Sequence, residues 1–299
     1  AEATIQENPD GSKTCWMGES EPLHRMRGMV GVTVYPDSSL VEAKAVVYNR
    51  TAASLPFMWW NNLAVRVHEK YKAMFPPDVE YGADHDRRAV VPFPEMKGIY
   101  HTARPYDYGE GTDASWFSNV IMPTSVMVLR GQCDRDYLGG YDFAADAGTI
   151  TVADHHVSIG KKMWTWGDSA FGHAWSDNLT EVYTDNQPDF TMIEAGETKE
   201  FTQVWYPIHG IGEVSNATRD AALSVGLEDE KLQIGIVTTK VQTAVQVVVR
   251  SNGELLHTMK ADIAPNQCFV QKIEMKNAVA DSLTVDVYDQ DGKELVNYK

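Results

Sequence analysis

Between Tyr141 and Trp175 the chain carries adjacent histidines, His155 and His156, adjacent lysines, Lys161 and Lys162, and three tryptophans, Trp164, Trp166 and Trp175. Acids at Asp142, Asp146, Asp154 and Asp168 share the stretch. A histidine titrates near neutrality and can act as general acid or base. A lysine beside indole rings can donate to sugar hydroxyls while the ring stacks on the apolar face of a pyranose. The stretch therefore reads as one wall of a polar, aromatic-lined cleft.

Strand alternation sorts these groups. In Lys161 to Trp166, Lys162, Trp164 and Trp166 fall on one face, and Lys161, Met163 and Thr165 on the other. The alternative for any single Trp is a place in the core. Read as the end of a strand, Asp154-His155-His156 lets only one histidine enter the cleft. That argues against a two-histidine metal site, and no metal or other cofactor is expected. A hydrogen-bonded structural histidine is the alternative reading. Further on, Tyr183 to Phe190 packs Thr184, Asp185, Asn186 and Gln187 in front of a proline; either this is an exposed turn, or Asp185 and Gln187 point into a site. Asp142, Asp146 and Asp113 are further acids. Two carboxylates about 5 to 10 Å apart would suit glycoside hydrolysis.

The chain has 299 residues and a formal charge of −16, with 26 Lys and Arg scattered along it. Phosphate binding needs a concentrated basic surface, so a nucleic-acid partner is excluded, and a neutral or cationic small molecule or oligosaccharide fits better. No apolar run approaches the roughly 20 residues that cross a bilayer, so no membrane partner is expected. Cys15, Cys133 and Cys268 are odd in number and far apart, and read as reduced thiols. The first residues lack the apolar core of a signal peptide, leaving a cytoplasmic protein or one exported after signal removal. Walker, GxGxxG, GxSxG and HExxH motifs are absent.

The elements that must position these residues are strands. Period-two runs fill the N-terminal third, with Leu40, Ala43, Ala45 and Val47 set against Glu42 and Lys44. Residues 55 to 71 read as a strand pair or one bent strand kinked at Asn61-Asn62. Residues 76 to 118, rich in Pro and holding His85, Arg87, Arg88, His101, Arg104, Asp113 and Trp116, read as a long cleft-forming loop. Residues 211 to 231 read as a linker with room for one short helix. From 232 to 299, short alternating runs punctuated by Asn252-Gly253 and Asp291-Gly292 describe a small immunoglobulin-like sandwich.

The segments HRMRGMVGVTVYP, YNRTAASLPFMWWNNLAVRV, YLGGYDFAADAGTITVADHHVSIGKKMWTWG, VYTDNQPDF and WYPIHGIGEVSNATRDAAL resemble an uncharacterised bacterial family. Its members often carry this module ahead of tetratricopeptide repeats, through which partners outside this chain would be recruited. The resemblance implies an all-β chain: a galactose-mutarotase-like β-supersandwich over residues 1 to 210, then the linker and the immunoglobulin-like sandwich. Asp185-Asn186-Gln187-Pro188-Asp189, then Glu194-Ala195-Gly196-Glu197 and a strand ending at Trp205-Tyr206, is similar to the mutarotase pattern. On that match Asp185 stands where mutarotases keep a catalytic glutamate, one methylene shorter and closer to the proline, which argues against mutarotase activity. Relatives have strands before the first residues here and about ten more residues where Glu181 meets Val182.

Together these readings give a carbohydrate-active protein working on glycosidic bonds. Asp185, with His156 or Asp142, would carry protons. Trp60, Trp164, Trp166, Lys162, Gln187, His155 and Tyr141 would hold the sugar. A non-catalytic sugar-binding module, an aldose epimerase and a plain scaffold are the alternatives.

Overall fold

The computed structural model describes residues 2–85, 89–100, 106–128, 133–168, 175–182, 190–228, 230–275 and 282–299. Described residues are strands, turns and short 3-10 turns such as Phe117–Asn119, with no α-helix among them. None forms a helix long and apolar enough to cross a membrane.

Two large antiparallel sheets dominate. The eight-stranded sheet runs, in spatial order, Glu2–Glu7, Lys13–Ser20, Arg27–Val34, Val41–Tyr48, Thr198–His209, Ala147–Val152, Tyr137–Asp142 and Tyr71–Met74. The six-stranded sheet runs Trp59–Arg66, Trp175–Val182, Gly160–Thr165, Thr124–Val128, Tyr81–Asp84 and Ala89–Pro92. In Val41–Tyr48 the buried set is Ala43, Ala45 and Val47, so the period-two pattern places one face inward and leaves Glu42 and Lys44 on the other. The sheets meet through their apolar faces. Val126, Val128 and Met163 of the six-stranded sheet cluster with Ala73 of the eight-stranded one, and Trp59 packs edge-on against Phe201 at 5.2 Å. This is the all-β supersandwich that the resemblance implied.

A smaller sandwich follows. Asn216–Ala217, Ala221–Glu228, Lys231–Thr238 and Phe269–Glu274 form one sheet, and Glu254–Ile263, Gln242–Ser251, Leu283–Tyr288 and Glu294–Tyr298 the other. Its core is aliphatic, built from residues such as Leu223, Ile234, Val247, Val285 and Val296. At the hairpin joining Gln242–Ser251 to Glu254–Ile263, Asn252 and Gly253 take φ of 49° and 82°, the left-handed pair that a two-residue turn requires.

Three expectations are corrected. Asn61 and Asn62 do not kink a strand; they lie inside Trp59–Arg66, and the break falls at Met58 between Leu55–Phe57 and that strand. Residues 76 to 118 are not an open loop: Val91, Phe93, Met96, Tyr108 and Ala114 are buried in the core, held by short paired strands. Pro92 ends the strand Ala89–Pro92 without preventing burial of Phe93 beside it. Residues 211 to 231 contain no helix among the described positions, because Ala221–Glu228 pairs with Lys231–Thr238 and belongs to the small sandwich. Ala221, Ala222 and Leu223 face apolar neighbours on both sides of that strand, a pattern that mimics a helix.

Candidate functional site: the outer face of the six-stranded sheet

The face of the six-stranded sheet turned away from its partner collects the aromatic groups. In Trp59–Arg66 exposure alternates, so Trp60, Asn62, Ala64 and Arg66 face outward while Trp59, Asn61, Leu63 and Val65 face the core. Cross-strand register carries the same face over the sheet. Trp164 pairs with Ser125 on one side and with Asp177 on the other, and Asp177 in turn pairs with Ala64. Lys162 lies between Met127 and Leu179, and Leu179 pairs with Asn62. The amide of His85 donates to the Ser125 carbonyl at 2.9 Å, which sets His85 beside Ser125 on the rung of Trp164.

Trp164 and Trp166 lie side by side, with ring centroids 4.5 Å apart and planes tilted by 60°. Trp166 is 47% exposed and Trp60 42%, high values for indoles, which are well buried on average. Gly167 ends the platform: at φ +80°, with the Ile121 carbonyl oxygen 2.6 Å from where a Cβ would stand, no other residue turns the chain there without strain. Lys162 is buried beneath this surface rather than projecting from it. Lys161, on the opposite face, is buried in the core, so alternation separates the two lysines.

The remaining predicted residues lie elsewhere. Tyr141 is corrected outright: it is fully buried, and its hydroxyl donates to Asp146 Oδ1 at 2.6 Å. Burial first, and then this bond to a carboxylate, push its phenol up to about 12. It supports the eight-stranded sheet and has no surface for a sugar. Asp142 belongs to that same sheet. It meets His68 Nε2 at 2.9 Å and accepts from the Ala144 and Ala145 amides, capping the turn that follows its strand. Burial opposes, but these hydrogen bonds hold its carboxyl below the ordinary value, so it is ionised at neutral pH and unsuited to donating a proton. It is not grouped with the indoles.

His155 and His156 are also corrected. They occupy a turn rather than a strand end, so alternation does not separate them; their rings pack together with centroids 3.9 Å apart. His155 Nδ1 lies 2.7 Å from Asp136 Oδ1, and His156 Nδ1 3.1 Å from Asp154 Oδ1. The His156 amide donates to Asp154, and this bond above all lowers the Asp154 carboxyl. Asp185 and Gln187 lie outside the described residues. The strand before them ends at Val182, paired with Trp59, with Glu181 paired with Trp60.

Sequence reasoning missed Asn62, Arg66, Ser125 and, as part of this face, His85. The alternation in Trp59–Arg66 could have supplied the first two. Ser125 needs the pairing of strands far apart in the chain; its hydroxyl is buried and has no hydrogen-bond partner among the described residues.

A second recess, about 580 Å³ in volume, lies between the large and small sandwiches, with Lys72, Phe75, Phe143, Glu213 and Tyr298 in its wall. Its charges are already matched, since Lys72 Nζ reaches both Glu213 oxygens at 2.7 and 2.8 Å. Phe143 stacks on Trp116 at 5.2 Å.

Residues 2–210 match a family described as DUF5107, a domain of unknown function. The chain belongs to this family. Residues 216–298 of this DUF5107 protein also match the second domain of the YphG-like proteins. Among solved structures, it is similar to a TPR-domain containing protein from Parabacteroides distasonis, at 17% identity and a TM-score of 0.54 over 69% of this chain and 34% of that one. It is also similar to a galactose mutarotase related enzyme from Lactobacillus acidophilus, with 8% identity, a TM-score of 0.47, and 71% and 73% of the two chains covered. A galactose mutarotase-like protein from Clostridium acetobutylicum gives 8% identity and a TM-score of 0.47, over 70% and 67% of the chains. The chain spans about a third of the length of the Parabacteroides protein. At these identities the likeness is one of fold.

Proposed function

We propose that this DUF5107 protein binds carbohydrate across the outer face of its six-stranded sheet. The observation that carries the reading is the grouping of exposed Trp60 and Trp166 with half-buried Trp164 on one sheet face. Trp60 and Trp164 stand two strands and four register positions apart, about 10 Å across the sheet and about 13 Å along it. That spread suits several linked rings better than one monosaccharide. Asn62, Arg66 and His85 supply polar contacts near the rings. The formal charge of −16 favours neutral glycans over acidic ones.

Calorimetric titration with a panel of neutral oligosaccharides tests this. Saturable binding is expected, weakened roughly tenfold or more by Trp166→Ala, about 1.4 kcal/mol or greater. Equal affinity in the variant would mean that the indole platform does not hold the sugar.

A second reading, cleavage of glycosidic bonds, is favoured by one observation. Val182 pairs with Trp59 beside Trp60, and Asp185 follows only three residues later, within about 10 Å of chain. Asp185 is the acid that this reading assigns, with Gln187 two residues after it in the sequence. Release of reducing sugar that Asp185→Asn abolishes would support hydrolysis. Binding with no product from any glycan of the panel leaves a non-catalytic binding module.

A further inference from the structure

The Asp154–His155–His156 turn, with Asp136 behind it, has the chemistry of a metal site. One donor atom from each of Asp154, His155 and His156 lies within 4.8 Å of the others. Asp136 orients the His155 imidazole at its Nδ1, at 2.7 Å, and Asp154 Oδ1 and His156 Nδ1 already stand 3.1 Å apart, close enough for one ion to bridge them. A carboxylate only accepts, so the neutral His155 ring carries its proton on Nδ1 and keeps the Nε2 lone pair for a ligand, while an ion taking the place of the proton between His156 and Asp154 would be held by His156 Nδ1 and an Asp154 oxygen. The Asp136–His155 pair is the carboxylate–histidine arrangement that orients a histidine around a bound metal.

We propose that this turn binds a divalent transition-metal ion, with zinc as the fitting case. Two imidazoles and one carboxylate favour zinc over calcium or magnesium, which prefer oxygen alone. At bond lengths of about 2.0–2.2 Å the donors must close to about 3.4 Å from one another, a small movement for side chains on a turn. The His156 side chain is 77% exposed and the Asp154 side chain 62%, so neither is committed to the core. Remaining coordination positions face solvent and would be taken by water or by an anionic group of a ligand. Asp136 is a positioning residue and touches no metal.

The test is calorimetric titration of the full chain, freed of metal by chelator, with zinc chloride in a non-coordinating buffer. One ion per chain is expected, with a dissociation constant in the micromolar range. His156→Ala should weaken binding at least tenfold while circular dichroism stays unchanged. Asp136→Asn, which removes no ligand, should weaken it by roughly 10- to 100-fold. Stoichiometric zinc bound equally well by a His155→Ala/His156→Ala double variant would place the metal elsewhere and overturn the proposal. Absence of saturable binding by the unaltered chain would overturn it as well.

Discussion

Single residues show how far environment decides role. Tyr141 belongs to a carboxylate-rich run that leads to the two histidines, yet it is a core residue with one internal hydrogen bond from its hydroxyl. Its raised pKa fixes a pH dependence. A tyrosine in the unfolded chain ionises near 10, and this one near 12 when folded, so the folded state holds the proton more tightly. The stability it contributes is complete below about pH 10 and is lost as pH rises toward 12. Tyr141→Phe should therefore make the alkaline loss of stability less steep over that interval in denaturant melts at stepped pH; an unchanged slope would contradict the assignment. Cys133 offers a second check. Burial pushes its thiol up against the opposing charge of Lys161, whereas Cys15 and Cys268 are only half-buried. With less thiolate available, Cys133 should be the slowest of the three to be alkylated at about pH 8, as followed by mass spectrometry of the digested protein.

Among the elements, alternation is the most readable signal. Period two by itself separates Lys162, Trp164 and Trp166 from Lys161, Met163 and Thr165, because a strand with one apolar face has no other register that keeps the core dry. Proximity along the chain misleads. The run from Tyr141 to Trp175 is divided between two sheets: Tyr137–Asp142 and Ala147–Val152 lie in one, Gly160–Thr165 in the other, and the turn at 153–159 crosses between them. Asp142 and Tyr141 are therefore not neighbours of the indoles. Ser125 and His85 are, but only through pairing that no local pattern announces. The alternation can be tested on one strand. Met163→Ala, on the inner face at 3% exposure, should cost about 2–5 kcal/mol in denaturant melts. Trp164→Ala, on the outer face, should cost clearly less, and a larger loss at Trp164 than at Met163 would reverse the assignment of faces.

Across the whole molecule, the two sandwiches share a core. Leu40, Met74, Tyr137 and Tyr206 of the large sandwich form one apolar cluster with Ile211, Val214, Ala217, Ala222 and Val237. The Tyr137 hydroxyl donates to the Val214 carbonyl at 3.0 Å, and the Tyr206 hydroxyl to the carbonyls of Thr218 and Ala221 at 2.8 and 3.0 Å. Arg219 pairs with Glu42 across the same junction. A shared dry core couples unfolding more strongly than surface ion pairs do. Scanning calorimetry should show one endotherm for the whole chain, and two well-separated transitions would contradict the coupling. The small sandwich thus packs on the large one through this junction, away from Trp60, Trp164 and Trp166.

If the indole-bearing face of the six-stranded sheet, and not the recess between the sandwiches, holds carbohydrate, a crystal structure of the full chain soaked with a neutral oligosaccharide will show it most directly. Sugar rings should stack on Trp164 and Trp166 and extend toward Trp60. Sugar bound only in the recess beside Lys72 and Phe143, with the indoles bare, would contradict the proposed function.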